Sequence, residues 1–187
     1  MFAELFAFGI PTVSRDASHD YLQHTVQSLL DNLYPGDSEL VTILIFNANL
    51  DPQLNMRTTQ QIFAQFPEQV ESGLIQVVSA NAKFYPKPST LQKKFNDDVH
   101  RTAWRSKQVL DYAFMFAYAH NISSFYIHLE DDVITIPGYV DFVAEAVHNA
   151  TKRSYEEPPP SEVRMEEFRI NATAAHAPGT CFCCRHW

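Results

Sequence analysis

Apolar residues along this chain fall into short unbroken runs that alternate with longer, periodically spaced stretches, and that rhythm predicts strands separated by helices. Leu5 to Val13 is the first run. From about Ser18 to Leu33, the residues Leu22, Val26, Leu29, Leu30 and Leu33 share one helical face, with Ser18 placed to cap it. Leu40 to Phe46 contains a nearly continuous Val-Thr-Ile-Leu-Ile-Phe stretch, the pattern of a strand buried on both faces in a parallel sheet. A second helix is predicted from about Pro52 to Phe66, with Leu54, Ile62, Phe63 and Phe66 as its apolar residues, and a third strand from Leu74 to Ser79. Residues Asn81 to Asp98 hold Pro86, Pro88 and many polar side chains and read as a long loop. A helix from about Val99 to His120 has Trp104, Val109, Leu110, Phe114, Met115 and Tyr118 to bury. The strand Phe125 to Leu129 follows, then a helix from about Gly138 to Asn149 that presents Val140, Val143 and Val147 to the sheet.

This alternation is the pattern of an α/β fold, a mostly parallel sheet with helices on both faces. At 187 residues and 45% hydrophobic content, the chain has material for one core-bearing domain. After Thr151 the periodicity is lost and Glu156-Glu157-Pro158-Pro159-Pro160 marks a linker, so residues 1–150 are read as the domain and 151–187 as a disordered or atypical tail. Cys181, Cys183 and Cys184 all fall in that tail, which leaves the domain without an internal disulfide, and their spacing with His186 matches no four-ligand zinc motif. Sequons stand at Asn121, Asn149 and Asn171.

A formal net charge of -8 with no basic stripe argues against a nucleic-acid binder, whose affinity comes from neutralising phosphates. No apolar stretch is long enough to span a bilayer. The opening Met1-Phe2-Ala3-Glu4-Leu5-Phe6-Ala7-Phe8 lacks a positive amino-terminal region and runs into the first strand, so it reads as neither signal peptide nor anchor. The absence of Gly-x-Gly-x-x-Gly makes a dinucleotide-binding domain the wrong expectation.

The chemistry is concentrated in Glu130-Asp131-Asp132, which follows directly on the apolar run ending at Leu129. Open α/β sheets bind ligands at the carboxyl ends of their strands. Three adjacent carboxylates repel one another, and a divalent cation carrying phosphates gives a reason to gather them; a solvated acidic turn is the alternative. Alternation along an extended chain puts Glu130 and Asp132 on one side and Asp131 on the other, and Asp132 is the expected direct metal ligand. Thr12 and Arg15, at the end of the first strand, are placed to reach a base or a phosphate, although an arginine in a turn is often simply exposed. Arg101 and Arg105 lie one helical turn apart, with Lys107 close by; these cations either offset diphosphate charge or pair with Asp97, Asp98 and Asp111. His128 reads as a packed histidine, since no second ligand lies at metal spacing.

Four segments carry a resemblance: Phe8-Gly9-Ile10-Pro11-Thr12-Val13-Ser14-Arg15, Ser28-Leu29-Leu30-Asp31-Asn32-Leu33-Tyr34-Pro35, Trp104-Arg105-Ser106-Lys107-Gln108-Val109-Leu110-Asp111-Tyr112 and Tyr126-Ile127-His128-Leu129-Glu130-Asp131-Asp132-Val133. In that order they resemble the catalytic domain of the alpha-1,3-mannosyl-glycoprotein 4-beta-N-acetylglucosaminyltransferases, over roughly residues 6 to 150. The resemblance implies a GT-A-like donor-binding sheet and inverting transfer of N-acetylglucosamine from UDP-GlcNAc to a mannose of a glycoprotein N-glycan. It further implies a divalent cation, manganese first, and a membrane-anchored Golgi protein with its domain in the lumen. By the same resemblance Glu130 and Asp131 position the donor; Thr12, Arg15, Arg105 and Lys107 are the other candidate donor contacts, read from their places in the chain. The family's general base would lie further downstream, and Asp141 and Glu145 fall on the solvent side of their helix. The expectation is therefore a fragment, truncated in its carboxyl-terminal half, that binds donor and turns it over weakly or not at all. The other reading is a non-catalytic module that binds donor or a partner; a generic magnesium-dependent phosphotransfer enzyme would account for the acidic triplet alone.

Overall fold

The computed structural model describes residues 4–14, 21–92, 96–156 and 180–181. Its centre is a parallel sheet built from β1 (Glu4–Thr12), β2 (Val41–Asn47), β3 (Ile75–Ser79), β4 (Ser123–His128) and the two-residue β5 (Thr180–Cys181), in the order β3-β2-β1-β4-β5. The helices are α1 (Tyr21–Asp31), α2 (Pro52–Gln65), α3 (Pro67–Glu71), α4 (Val99–Ala119) and α5 (Tyr139–Glu156). The architecture is the α/β arrangement that the hydrophobic pattern predicts. None of the helices among the described residues is long and apolar enough to cross a membrane.

Register explains why β1 and β2 are so apolar. Phe8 lies opposite Ile43 on one side and Ile127 on the other, so β1 is bordered by strands on both edges, and every residue of β2 is buried. Phe6, Phe8 and Ile10 of β1, with Val41, Ile43 and Ile45 of β2, face Leu22, Val26 and Leu29 of α1, Ile62 of α2 and Tyr139, Val140 and Val147 of α5. The intervening residues, Ala7, Leu44 and Phe46, face Met115 and Ala119 of α4 and the ring of Tyr126. Burying a large aliphatic or aromatic side chain contributes about 1.5–3 kcal/mol, so these two layers supply most of the driving force.

The two faces are covered unequally. Among the described residues, α1, α2 and α5 pack on one face and α4 on the other. Along α4 the buried residues are Asp111, Met115 and Ala119, a stripe spaced by one turn. Here the sequence expectation needs correcting: Trp104 is 61% exposed, Val109 66% and Tyr118 38%. Val109 lies on the far side of the helix from the stripe. Trp104 lies on the stripe, two turns before Asp111, where α4 has already run past the carboxyl edge of the sheet and has no strand beneath it. On α2, Phe63 is likewise exposed, because Ile62 alone takes the buried position.

Local chemistry sets the boundaries. Asp51 caps α2, accepting from the Gln53 N–H at 2.8 Å, and Asp98 caps α4, accepting from the Arg101 N–H at 2.8 Å. The second helix ends at Gln65, close to the expected Phe66, and Pro67 starts a further single turn, α3, that the sequence reading did not include. The predicted loop from Asn81 to Asp98 holds two short 3-10 turns, Ala82–Phe84 and Pro88–Thr90. α5 continues to Glu156, beyond the end at Asn149 expected from the apolar spacing. Thr180 and Cys181, from the predicted tail, pair in parallel with Phe125 and Tyr126. Ser18, Cys183, Cys184 and the Asn171 sequon lie outside the described residues.

Gly9 is the position on β1 where a side chain is forbidden by its neighbour. The Tyr126 ring crosses the sheet over it, and a Cβ added there would collide with the ring and its hydroxyl. Gly9→Ala is expected to destabilise the fold by about 1–3 kcal/mol, the usual cost of overpacking, read as a lower urea midpoint with an unchanged slope. An unaltered midpoint would contradict the close approach of ring to backbone.

Candidate functional site

β1 sends its chain towards α1 and β2 on one side, while its other neighbour, β4, arrives by way of α4, so strand order reverses between β1 and β4. Such a switch point leaves a crevice at the carboxyl ends of the two strands. A cleft of about 320 Å³ is found there, lined among others by Thr12, Ala48, Lys107, Asp111, Tyr112 and Asp131.

The acidic segment is built into the wall of this cleft. Ladder pairing extends one residue beyond β4, with Leu129 N–H donating to Gly9 O at 2.9 Å, and the chain then leaves the sheet. Glu130 and Asp132 are exposed while Asp131 is 6% exposed, the in-and-out pattern expected from the sequence, although Asp131 and Asp132 lie in a turn beyond β4 and not in extended chain. The buried Asp131 carboxylate accepts a hydrogen bond from the Thr12 hydroxyl at 2.8 Å. Two residues named from the sequence, 119 positions apart, are thereby brought into contact.

Beyond Asp131 the segment lies along α1 and is held by its polar side chains. The buried Thr25 hydroxyl lies 2.9 Å from the Asp131 carbonyl and 3.0 Å from that of Val133, sharing its proton between them. Ser28 Oγ accepts from the Thr135 N–H at 2.9 Å, and the Thr135 hydroxyl donates back to the Ser28 carbonyl at 2.7 Å. Asn32 Nδ2 donates to the Thr135 carbonyl at 3.2 Å, and the Gly138 N–H donates to the Asn32 carbonyl at 3.0 Å. Gly138 has φ of 70° with the Tyr34 ring where a Cβ would project, so both conformation and space require glycine. Thr25, Ser28 and Asn32 were not singled out as site residues from the sequence; their signal is polar side chains placed at helical spacing beside the buried face of α1.

The basic residues are committed to ion pairs. Arg105 Nη1 lies 2.6 Å from Asp97 Oδ2 and Arg101 Nε 3.2 Å from Asp97 Oδ1, so both arginines share one carboxylate. Lys107 lines the cleft and pairs with Asp111 at 2.6 Å. The other oxygen of Asp111, a residue only 5% exposed, accepts from the Tyr85 hydroxyl at 2.6 Å. Burial, then the hydrogen bond and the charge of Asp111, push the Tyr85 hydroxyl far above the ordinary tyrosine range, so it remains a donor. The Lys107 ammonium also lies 5.2 Å from the centre of the Tyr85 ring. Of the two alternatives open for these cations, the observed contacts are the ion pairs. Arg15 lies outside the described residues.

His128 packs as expected. Its Nδ1 lies 2.9 Å from the Tyr126 hydroxyl and its ring meets the Tyr112 ring edge-on at 4.5 Å, and burial lowers its pKa below the ordinary value. Among the described residues no group of three or more His, Cys, Asp or Glu is gathered closely enough to hold a metal by protein ligands alone. What the acidic segment offers is the exposed carboxylates of Glu130 and Asp132 beside the cleft. That donor set fits a hard cation of the magnesium type, which takes one or two carboxylates and completes its shell with substrate phosphates and water.

The family described as the MGAT4 conserved region matches residues 2–156 of the chain. Alpha-1,3-mannosyl-glycoprotein 4-beta-N-acetylglucosaminyltransferase B of Mus musculus is 41% identical over 132 residues, which is 71% of this chain and 24% of that protein. The Homo sapiens B protein is 40% identical over the same length and shares. The corresponding A protein of Bos taurus is 36% identical over 135 residues, 72% of this chain and 25% of its own length. The match thus spans about a quarter of the length of these curated relatives.

Two outcomes follow from the geometry. Ser28→Ala removes the acceptor of the Thr135 N–H, so amide exchange at Thr135 should accelerate and stability should fall by about 1–2 kcal/mol; unchanged exchange would show that α1 does not hold the segment. The second concerns acid. Burial holds His128 neutral to a lower pH in the folded protein than in the unfolded chain, which protonates its histidines near pH ~6.5, so this residue's contribution is complete above that pH and is lost as pH falls from there through the lowered folded value. The thermal midpoint should therefore drop as pH is lowered from about 7.5 to about 5.5, less steeply in His128→Gln, and equal slopes would contradict the assignment.

Proposed function

The chain belongs to the MGAT4 conserved region family, and we propose that it forms the donor-binding part of a glycosyltransferase that passes N-acetylglucosamine from UDP-GlcNAc to a mannose of a glycoprotein N-glycan. The observation that carries this reading is the Thr12 to Asp131 hydrogen bond at the switch point, with Glu130 and Asp132 exposed on either side of it. The chemistry named for the relatives comes to this chain as part of the proposal, and so does a Golgi-lumen setting for the whole protein.

In this reading the sheet is the GT-A-like half that holds the nucleotide. Thr12 approaches the donor from the end of β1, with Arg15 three residues further along the sequence as a further candidate contact, while Lys107 and Arg105 approach from α4. Asp111 holds the Lys107 ammonium at the cleft wall, where it offsets charge on the diphosphate without swinging freely. Arg105 shares Asp97 with Arg101, so donor contact by Arg105 leaves the carboxylate with a second cation. Glu130 and Asp131 position the donor, Asp131 as the fixed floor and Glu130 from the exposed side. Asp132 would hold the divalent cation, with manganese the first choice. When bound, the cation stabilises negative charge developing on the departing diphosphate as a Lewis acid.

Inverting transfer needs a base on the face of the sugar opposite the leaving group. Asp141 and Glu145 are exposed on α5, and the proposal assigns neither to that task. Donor capture is therefore the part of the reaction proposed for this chain. Calorimetric titration of the purified chain with UDP-GlcNAc, with and without manganese, tests it. Binding should require the cation, and Asp132→Ala should weaken it by at least about ten-fold, the usual scale for loss of a ligand-shell group. Equal affinity in the variant would remove Asp132 from the metal site.

A further inference from the structure

A second depression, of about 240 Å³, adjoins the cleft and shares Trp104 and Lys107 with it. Its lining is mostly apolar, with Leu50, Pro86, Pro88 and Leu91 opposite Trp104, and Lys107 is the charged residue among those that line it. Trp104 stands between the two spaces with 61% of its surface exposed. An indole left in water at the wall of a cleft forgoes burial that a flat apolar partner would provide. The groove is smaller than the usual cleft for a drug-sized ligand, and its size suits a single ring.

We infer that this groove receives the pyrimidine ring of the donor nucleotide, stacked on the Trp104 indole. The inference deepens the proposed function and rests on it. A nucleotide sugar carries a flat base at one end and its charge in the middle, and the continuity of the two spaces matches that order. The base lies in the apolar groove, and the diphosphate passes Lys107 towards the acidic segment. Ser106 and Lys107 line the groove with hydrogen-bond donors. The Lys107 ammonium, a donor without an acceptor, matches a carbonyl oxygen of the ring and would face the amino group of adenine or cytosine with another donor, whereas the Ser106 hydroxyl can turn to donate or accept. Trp104 is thus the residue that holds the base, and Lys107 the one that selects it.

The test uses the full chain with Trp187→Phe, which leaves Trp104 as the single tryptophan of the two in the sequence. UDP and inorganic pyrophosphate are titrated at constant manganese, with affinity read by calorimetry and the indole by fluorescence. UDP should shift or quench the Trp104 emission beyond anything pyrophosphate does. Trp104→Leu should weaken UDP by about 5- to 100-fold, the span measured for stacking of one base, and leave pyrophosphate within about two-fold. Trp104→Phe should restore most of the UDP affinity, and ADP and CDP should bind more weakly than UDP. If Trp104→Leu binds UDP as the parent does, or the emission change is the same with pyrophosphate, the base lies elsewhere while donor binding stands. If the parent chain binds neither UDP nor UDP-GlcNAc, the donor reading fails and this inference fails with it.

Discussion

A carboxylate buried at the end of a parallel sheet must be hydrogen-bonded, because an unpartnered charge there would cost several kcal/mol. Asp131 meets that requirement with the Thr12 hydroxyl, and the contact joins the ends of β1 and the chain leaving β4. The bond sets the depth of the acidic segment. Asp131 is turned inward, and Glu130 and Asp132 on either side of it are exposed. Thr25, Ser28 and Asn32 then fix the path of the chain as far as Gly138, where α5 begins.

The unequal cover of the sheet has the opposite effect on the other wall. Among the described residues α1, α2 and α5 close one face around Phe6, Phe8 and Ile10, with Val70 of α3 packed at its side, and the face opposite is covered by α4, whose amino-terminal turns extend past the strands. A helix that overhangs its sheet exposes whatever its buried stripe carries there. In this chain the stripe carries Trp104, and Lys107 and Asp111 follow it towards the sheet. The rigid wall built on α1 and the open wall built on α4 thus face each other across the switch point.

Charge is arranged with economy in a chain of net charge -8. Exposed ion pairs contribute about 0–1 kcal/mol, so the Arg101 and Arg105 contacts with Asp97 do more to order the start of α4 than to stabilise the fold. The pair of Lys107 with Asp111 is more enclosed, and Tyr85 occupies the remaining carboxylate oxygen. Tyr85 also packs against Phe114 at 5.9 Å, which ties the proline-bearing loop to α4 and closes the outer side of the groove.

Hydrophobic periodicity by itself determined the first four strands, the long helices, their order and the position of the acidic triplet at a strand end, because burial on a sheet or helix face imposes a period that survives in the sequence; the short β5, with no such run, was not legible. The buried run of β2 and the alternation across Glu130, Asp131 and Asp132 were legible for that reason. Tertiary structure decided which carboxylate forms the floor, because spacing says only that neighbours point apart, and the contacts of Asp131 with Thr12 and Thr25 say which way is in. It also decided the ion pairs, since one-turn spacing permits a cation either partner, and the exposure of Trp104, since a stripe records a helical face and not where the sheet beneath it stops. Contacts such as Thr25 with Asp131, 106 positions apart, leave no periodic trace and exist only once the chain has folded.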